Sequence, residues 1–315
     1  MVYLSDFEDL PIVLNTLGKG DDYEIVLARK ETIFDEQEEF LISLDLSELK
    51  LQSIPDNIFD SFKHLKVLNL SQNEIKTISK NSFTGLNELE QLDLYVNKIE
   101  QLTTDVFSNT PNLFQLDFSD NELKTLPDTL FQSLKYLKKL DISSNKLNNL
   151  PTTIFKPLSQ LEKLEYRDND LKAFPDGLLT PLKNLISLNL SENKFTDLKK
   201  VPLPEMAFLE YLDLRENEIV KIPAGYFTKL PNIRQLDLDD NKLTSLPEDI
   251  FEPMTKLKAL GLSWNELKSI PKLHYEYLEE LLITGNNLPD EFDQNLRGKE
   301  AVELFIQEYF GGMQK

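Results

Sequence analysis

The 315-residue sequence contains no cysteine and only two histidines, His64 and His274. Without cysteine there are no disulfides, zinc–thiolate sites or thiol nucleophiles, and such a composition favours a reducing compartment. Two distant histidines supply neither a metal cluster nor a Ser-His-Asp triad. Gly18 and Gly20 are not followed by the third glycine of a dinucleotide site, and no Gly-Lys-Ser/Thr phosphate loop exists. The sequence therefore predicts a non-enzymatic protein with no catalytic residue, cofactor or metal.

Long apolar runs are also missing. No stretch of about eighteen apolar residues occurs, so we expect no insertion into a membrane. The first eight residues include early acids and have neither a basic segment nor an apolar core, unlike a secretory signal. We therefore expect a cytoplasmic location. The alternative is a secreted or cell-surface protein from which a signal peptide has been removed.

Basic residues are in deficit: 34 Lys and Arg stand against 54 Asp and Glu, for a net charge of −20. A field of that sign opposes binding to nucleic acid and favours association with basic partners. Two interpretations stay open, a solvated acidic surface and an acidic surface that recognises a basic protein or peptide.

The dominant positive feature is a repeat, because Asn recurs at intervals of 24 residues. These positions are Asn73, Asn97, Asn121, Asn145, Asn169, Asn193, Asn217, Asn241 and Asn265. One shorter unit follows with Asn286, and one precedes with Leu49 in place of Asn. Self-similarity at a fixed period of this length is typical of a solenoid.

Apolar residues occupy fixed places around each Asn. In one unit they are Leu113, Leu116, Phe118, Leu123, Leu126, Phe131 and Leu134, with Pro127 after Leu126. This pattern resembles the leucine-rich repeat in its 24-residue typical form, over residues 41–288 and about eleven repeats. The resemblance implies an α/β repeat solenoid, a right-handed horseshoe whose concave face is a parallel β-sheet.

The physical role of each part of the unit follows from its chemistry. The Leu-x-Leu step has a period of two, so both leucines point to the same side of a short strand. A buried Asn at the end of the strand can donate and accept hydrogen bonds, which predicts a ladder of Asn side chains along the solenoid. Each unit buries its leucines only by stacking on its neighbours.

The two ends must cover the exposed edges of the terminal repeats. Residues 1–40 are predicted to be an N-terminal cap, with a helix near Ser5–Leu17, a turn at Gly18–Asp22 and a strand at Tyr23–Leu27. Residues 289–315 are predicted to contain a capping helix, because apolar residues in Glu300–Phe310 follow helical spacing; a helix that binds a partner is the alternative. Secreted relatives of this repeat class usually have cysteine-rich caps, which this chain lacks.

Recognition residues are expected where side chains point out of the sheet. Four residues before each Asn the chain has mostly Asp or Asn, which is either common repeat usage or a stripe for a basic ligand. Larger side chains interrupt the neighbouring polar positions. The candidate partner-binding residues are Tyr95, Arg167, Tyr211, Asp213, Arg215, Asp237, Asp239 and Trp264, since Trp, Tyr and Arg are enriched at interface hot spots. Tyr166 occupies a leucine position and is predicted to be core.

The function predicted from the sequence is a monomeric module that binds a protein or peptide on its concave face, in intracellular signalling or scaffolding. Two alternatives remain. One is a secreted or surface-exposed adhesin, effector or receptor-type protein. The other is the recognition part of a larger signalling enzyme.

Overall fold

The computed structural model describes residues 10, 13, 14, 16–19, 33–35, 40–274 and 276–312. The chain forms two compact units, Met1–Leu161 (unit 1) and Glu162–Lys315 (unit 2). Both units consist of repeats with one short strand each. The predicted leucine-rich-repeat solenoid with a parallel sheet is therefore confirmed.

Unit 1 contains a main sheet and a small second one. Its strands are β1 (Ile33–Asp35), β2 (Phe40–Asp45), β3 (Ser53–Ile54), β4 (Val67–Asn69), β5 (Thr77–Ile78), β6 (Gln91–Asp93), β7 (Gln101–Leu102), β8 (Gln115–Asp117) and β9 (Lys139–Asp141). The main sheet has the order β1-β2-β4-β6-β8-β9, in which β1 is antiparallel to β2 and the later pairs are parallel. Strands β3, β5 and β7 form a parallel sheet from the segments that follow the first repeats' Asn positions.

Unit 2 has one sheet and ends in a helix. Its strands are β10 (Lys163–Glu165), β11 (Ser187–Asn189), β12 (Tyr211–Asp213), β13 (Gln235–Asp237), β14 (Ala259–Gly261), β15 (Glu280–Leu282) and β16 (Leu296–Arg297). Strands β10 to β15 are parallel neighbours in chain order, and β16 is antiparallel to β15. Helix α1 spans Lys299–Gly312.

The core of each unit consists of the repeat's apolar positions. In the repeat around Asn121, residues Leu113, Phe118 and Leu123 are fully buried. Tyr166, in the place that Phe118 has in its own repeat, is also fully buried, so its prediction as core is confirmed. Within each unit, the paired residues of neighbouring parallel strands up to β14 are 24 apart, as in Leu188 with Leu212, so equivalent leucines stack directly.

One return segment differs from the others. After Asn193 the chain lacks the usual Leu-Pro step, and Leu198–Lys200 form a 3-10 helix instead. The side chain of Asp197 caps this helix by accepting a hydrogen bond from the N–H of Lys199 at 2.9 Å. The hydroxyl of Tyr226 in the next repeat donates to the carbonyl of Val201 at 2.5 Å.

After the last repeat, the side chains of Asn295 and Tyr309 accept hydrogen bonds from backbone N–H groups. The Oδ1 atom of Asn295 accepts hydrogen bonds from the N–H groups of Ile283 and Thr284, at 2.9 and 3.1 Å. Helix α1 buries Val302 and Ile306, and its Tyr309 hydroxyl accepts a hydrogen bond from the N–H of Ile270 at 2.9 Å. The boundaries of the predicted C-terminal cap, 289–315, stay a prediction.

At the other end, three described residues of the predicted helix Ser5–Leu17, namely Leu10, Val13 and Leu14, are helical and buried. The predicted strand Tyr23–Leu27 lies outside the described residues. The boundary of the predicted N-terminal cap, 1–40, stays a prediction. Within the part of the chain that the structure describes, no helix is long and apolar enough to cross a bilayer.

Candidate binding surface of the parallel sheet

In every repeat, alternate residues of the strand point away from the core. Counting back from the repeat's Asn, positions −5 and −3 lie in the core, and positions −6, −4 and −2 lie on the opposite side of the strand, where small residues such as Ser71 and Ser191 are also buried. In the repeat of Asn241, Leu236 and Leu238 are fully buried, whereas Gln235 is exposed and Asp237 is half-buried. We call the surface formed by positions −6, −4, −2 and −1 the sheet face of each unit.

The Asn ladder holds these strands at a fixed spacing. The Oδ1 atom of Asn121 accepts a hydrogen bond from the N–H of Ile99 at 3.0 Å. Its Nδ2 atom donates to the carbonyls of Leu94, Phe118 and Ser119, each at 3.1 Å. The same exchange of bonds recurs at Asn73, Asn97, Asn145, Asn193, Asn217, Asn241, Asn265 and Asn286. Asn169 donates to the carbonyl of Arg167 within its own turn.

Position −1 has a left-handed backbone. Its φ angles lie between 48° and 57° in ten successive repeats, from Glu48 to Trp264, and Gly285 occupies the same place in the last. Asn, Asp and Gly tolerate this conformation best, and β-branched residues tolerate it worst. This backbone conformation explains why most residues at position −1 are polar. Val96, with φ of 51°, is strained because it is β-branched.

The acidic stripe at position −4 has a structural role. In unit 1 the Oδ1 atom of Asp141 accepts a hydrogen bond from the N–H of Ser143, two residues later, at 2.9 Å. Asn69 makes the same bond to Ser71 at 3.0 Å, so the bond does not need a negative charge. Equivalent bonds occur at Asp45, Asp93, Asp117, Asn189, Asp213 and Asp237. Local turn geometry therefore explains why Asp and Asn recur, without reference to a ligand.

Five candidates lie on β12 and β13 of unit 2 or two residues after them. The Nε atom of Arg215 is 3.2 Å from Oδ2 of Asp213, and its Nη1 atom is 3.9 Å from Oδ2 of Asp237. Asp213 and Asp237 are register partners on β12 and β13. Tyr211, Asp213 and Asp237 border a recess of about 190 Å³, whose opposite side includes Lys163 and Glu165. Asp239 lies near Asp237, because the Oδ1 atoms of both approach Gly261.

Gly261 breaks the stripe, and Asp239 compensates. Because Gly261 has no side chain, the N–H of Ser263 cannot find its acceptor within its own repeat. It donates instead to Oδ1 of Asp239, from the preceding repeat, at 2.6 Å. A Cβ atom at Gly261 would lie 2.7 Å from Oδ1 of Asp237 and 2.9 Å from Oδ1 of Asp239. The two carboxylates thus converge on the space that every other side chain at position −4 fills.

These carboxylates are electrostatically unfavourable. Burial raises the pKa of Asp213 to about 6, opposed by its hydrogen bond from Arg215. Burial, followed by repulsion from Asp237, raises the pKa of Asp239 to about 7. The pKa of Asp237 is raised as well, mainly by burial. Near neutral pH the group therefore holds protons that solvated carboxylates would release.

The other candidates are not part of this group. Tyr95 belongs to unit 1 and is 41% exposed. Arg167 donates from Nε to Oε1 of Glu192 at 2.6 Å, so its charge is compensated by the neighbouring repeat. Trp264 is 60% exposed, yet its ring covers Gly285, where a Cβ atom would lie 2.6 Å from Cε3 of the indole. A side chain at Gly285 would therefore be strained by the φ of 76° and would also collide with the indole.

Sequence reasoning missed a set of exposed apolar residues just before the strands. Tyr136 and Phe208, at position −9, are 63% and 58% exposed, and Ile186, at position −7, is 38% exposed. The available signal was an apolar residue at positions that are mostly polar or charged in the other repeats. Tyr277 is a further example in the last repeat.

The sheet face of the two units is chemically mixed. It presents carboxylates, two guanidinium groups and three aromatic side chains. Among the described residues, no three or more His, Cys, Asp or Glu side chains are arranged to hold a metal ion. His64 lies on another surface, where its ring packs 4.4 Å from that of Phe40.

Comparison with known proteins agrees with this architecture. A family model described as Leucine rich repeat matches residues 41–99, 96–147, 120–171 and 207–267, more than half of the chain. No curated protein matches the chain at a significant level.

Similar solved structures come from several complexes. One is the Toll–Spatzle complex of Drosophila (26% identity, TM-score 0.61), which is matched over 78% of this chain and 38% of that chain. A second is the octameric complex of Latrophilin 3, Unc5D and FLRT2 (25%, 0.64), matched over 78% and 76%. A third is the TLR13–ssRNA13 complex (30%, 0.59), matched over 79% and 44%. The chain thus spans less than half the length of the first and third neighbours.

Proposed function

Because this chain belongs to the leucine-rich-repeat family, we propose that it is a non-enzymatic module that binds a protein partner through its sheet face. The observation that supports this most is the exposure of aromatic residues among outward polar ones. Tyr95, Tyr211 and Trp264 are 41%, 44% and 60% exposed. Aromatic side chains in such positions are typical interface anchors. The Asn ladder keeps their strands fixed before binding, which limits the ordering cost of association.

We propose a secreted or cell-surface setting in place of the cytoplasmic one that the sequence suggested. The cytoplasmic location has no support among the similar structures, which favour the alternative. Two of these structures are complexes between proteins, the Toll–Spatzle complex and the octameric complex that includes FLRT2. Surface labelling of intact cells that express the native gene tests the location. Strong labelling without permeabilisation supports it, and labelling only after permeabilisation contradicts it.

The proposed partner is a protein with a basic surface, bound by a monomer. The net charge of −20 attracts such a partner and repels polyanions. One similar structure is a complex with single-stranded RNA. A chain of this charge would have to overcome strong repulsion to bind RNA, so we propose no nucleic-acid partner here.

The test uses single variants in partner capture. Trp264→Ala and Tyr211→Ala should each weaken capture of the native partner by about tenfold, as expected for interface anchors. Tyr136→Ala is the matched control, because Tyr136 is 63% exposed but lies outside the sheet face. All three variants should unfold at nearly the wild-type temperature. Equal capture by wild type and by both sheet-face variants would show that the partner binds elsewhere.

A further inference from the structure

Asp239 is an acidic residue although the fold requires only a hydrogen-bond acceptor at this place. Its structural task is to receive the N–H of Ser263. A neutral Asn has the same Oδ1 atom, and Asn69 and Asn189 already perform the analogous task at position −4. Elsewhere in the 24-residue repeats, position −2 is Ser, Tyr or Arg, never an acid. The need for an acceptor therefore does not explain the negative charge.

The charge is also poorly compensated within the chain. Arg215 is 3.2 Å from Asp213 and 3.9 Å from Asp237, but it makes no ion pair of that range with Asp239. Asp237 and Asp240 repel the Asp239 carboxylate more strongly than Arg215 attracts it. Glu165 adds repulsion to Asp213, and Glu280 adds repulsion to Asp237. An added cation would be attracted by the whole group and would relieve its repulsion.

The surroundings fit the side chain of a basic residue. Because Gly261 has no side chain, the carboxylates of Asp237 and Asp239 both approach it, and a Cβ atom there would lie 2.7 and 2.9 Å from their Oδ1 atoms. Tyr211 lies on β12 to one side, and Trp264 follows β14 on the other, and both are exposed. Aromatic faces attract ammonium and guanidinium groups as well as the apolar stem of a long basic side chain.

We propose that the sheet face of unit 2 docks a basic segment of a partner protein and seats a lysine or arginine side chain beside Asp237 and Asp239, above Gly261. This inference rests on the proposed function and adds to it the chemistry and place of the main contact. Charge complementarity on the sheet face supports a cationic protein segment as the occupant, rather than a metal ion or a lipid.

The test uses a short synthetic peptide of alternating arginine and glycine, with a citrulline–glycine peptide as the neutral isostere. Trp264 is the only tryptophan, so its fluorescence reports binding beside the site, and calorimetry gives the affinity. The arginine peptide should bind and the citrulline peptide should not. Asp237→Asn and Asp239→Asn should each weaken binding by about tenfold, as for loss of a close charge pair.

The matched control is Asp141→Asn, which makes the same change at position −4 in unit 1 and keeps the acceptor for Ser143. It should alter the affinity by less than about twofold. Equal weakening by Asp141→Asn and Asp239→Asn would overturn the proposal, because it would indicate attraction by net charge alone.

A double variant separates binding from folding. Gly261→Asn with Asp239→Ser restores the common repeat pattern, in which the residue at position −4 serves the N–H of Ser263. This protein should unfold like wild type yet bind the arginine peptide at least about tenfold more weakly. Retention of wild-type affinity would overturn the proposal.

Binding should also depend on pH, because a cation binds the ionised carboxylates. With pKa values of about 6 for Asp213 and about 7 for Asp239, affinity should fall by about tenfold from pH 8 to pH 5. Asp239→Asn should reduce this dependence. This inference is wrong and the proposed function stands if Trp264→Ala abolishes capture of the native partner while Asp237→Asn and Asp239→Asn leave the affinity for the arginine peptide unchanged. If the variants affect the peptide but no sheet-face change affects the partner, the proposed function is wrong.

Discussion

Replacement of Asn121 by Ala tests how the Asn ladder stabilises unit 1. The side chain makes four hydrogen bonds, and a simple count of bonds predicts a very large loss. Two of its carbonyl acceptors have other donors, however. The carbonyl of Leu94 also accepts from Nδ2 of Asn97 at 3.0 Å, and that of Phe118 from Nδ2 of Asn145 at 3.2 Å.

The third carbonyl, that of Ser119, keeps the N–H of Val96 at 3.2 Å. Only the N–H of Ile99, a fully buried residue, loses the partner that Asn121 supplies. One unsatisfied buried donor costs about 1–3 kcal/mol. We therefore expect Asn121→Ala to lower the free energy of unfolding by about 2–3 kcal/mol, including a small cavity term.

Urea denaturation followed by circular dichroism measures this loss. The control is Asn112→Ala, which removes a single exposed bond to the carbonyl of Asn87 and should cost about 0.5 kcal/mol or less. A loss below about 1 kcal/mol for Asn121→Ala would refute the claim that its Oδ1 atom serves a donor that nothing else can reach. A loss above about 5 kcal/mol would refute the claim that the carbonyls keep their other donors.

Three further predictions follow from single side chains. The hydroxyl of Tyr166 is buried with no hydrogen-bond partner among the described residues, so Tyr166→Phe should raise the free energy of unfolding by about 1 kcal/mol; a loss of stability on denaturation would contradict this. Val96 has φ of 51°, so Val96→Asn should stabilise unit 1 by about 1 kcal/mol. The control is Val220→Asn, at an exposed residue without positive φ, which should not stabilise the protein. Equal effects of the two substitutions on the free energy of unfolding would disprove the strain at Val96. Asp213 and Asp239 have pKa values of about 6 and about 7, above the value near 4 of carboxyls in the unfolded chain. The native state therefore binds more protons than the unfolded state, and the free energy of unfolding should fall as pH rises from about 4 to about 7. After allowance for solvent screening, Asp239→Asn should add about 1 kcal/mol at pH 8 and flatten the profile; an unchanged profile in denaturation at pH 5 and pH 8 would exclude this origin.

The fold was predictable because its signal repeats. Each Asn follows a strand by four residues, and each Leu-x-Leu step indicates the buried face, so the same pattern occurs many times along the chain. Helix α1 also followed from apolar spacing, and Tyr166 from its leucine position. These inferences depend on local periodicity, which a sequence displays directly.

The candidate site was only partly predictable. Asp213, Arg215, Asp237 and Asp239 were singled out by residue type, but their grouping depends on contacts between residues about 24 apart. The role of Gly261 was missed, since its absent side chain matters only once Ser263 must find another acceptor. The structural role of the acidic stripe was also hidden, because it depends on the turn two residues later.

The most direct test of the sheet face as the binding surface is site-specific photocrosslinking to the native partner. A benzophenone amino acid at Gln235, exposed on the sheet face of unit 2, is compared with one at Glu252, exposed on the return segment after the same strand. The partner should crosslink at Gln235 and not at Glu252. Crosslinking at Glu252 alone would contradict binding through the sheet face.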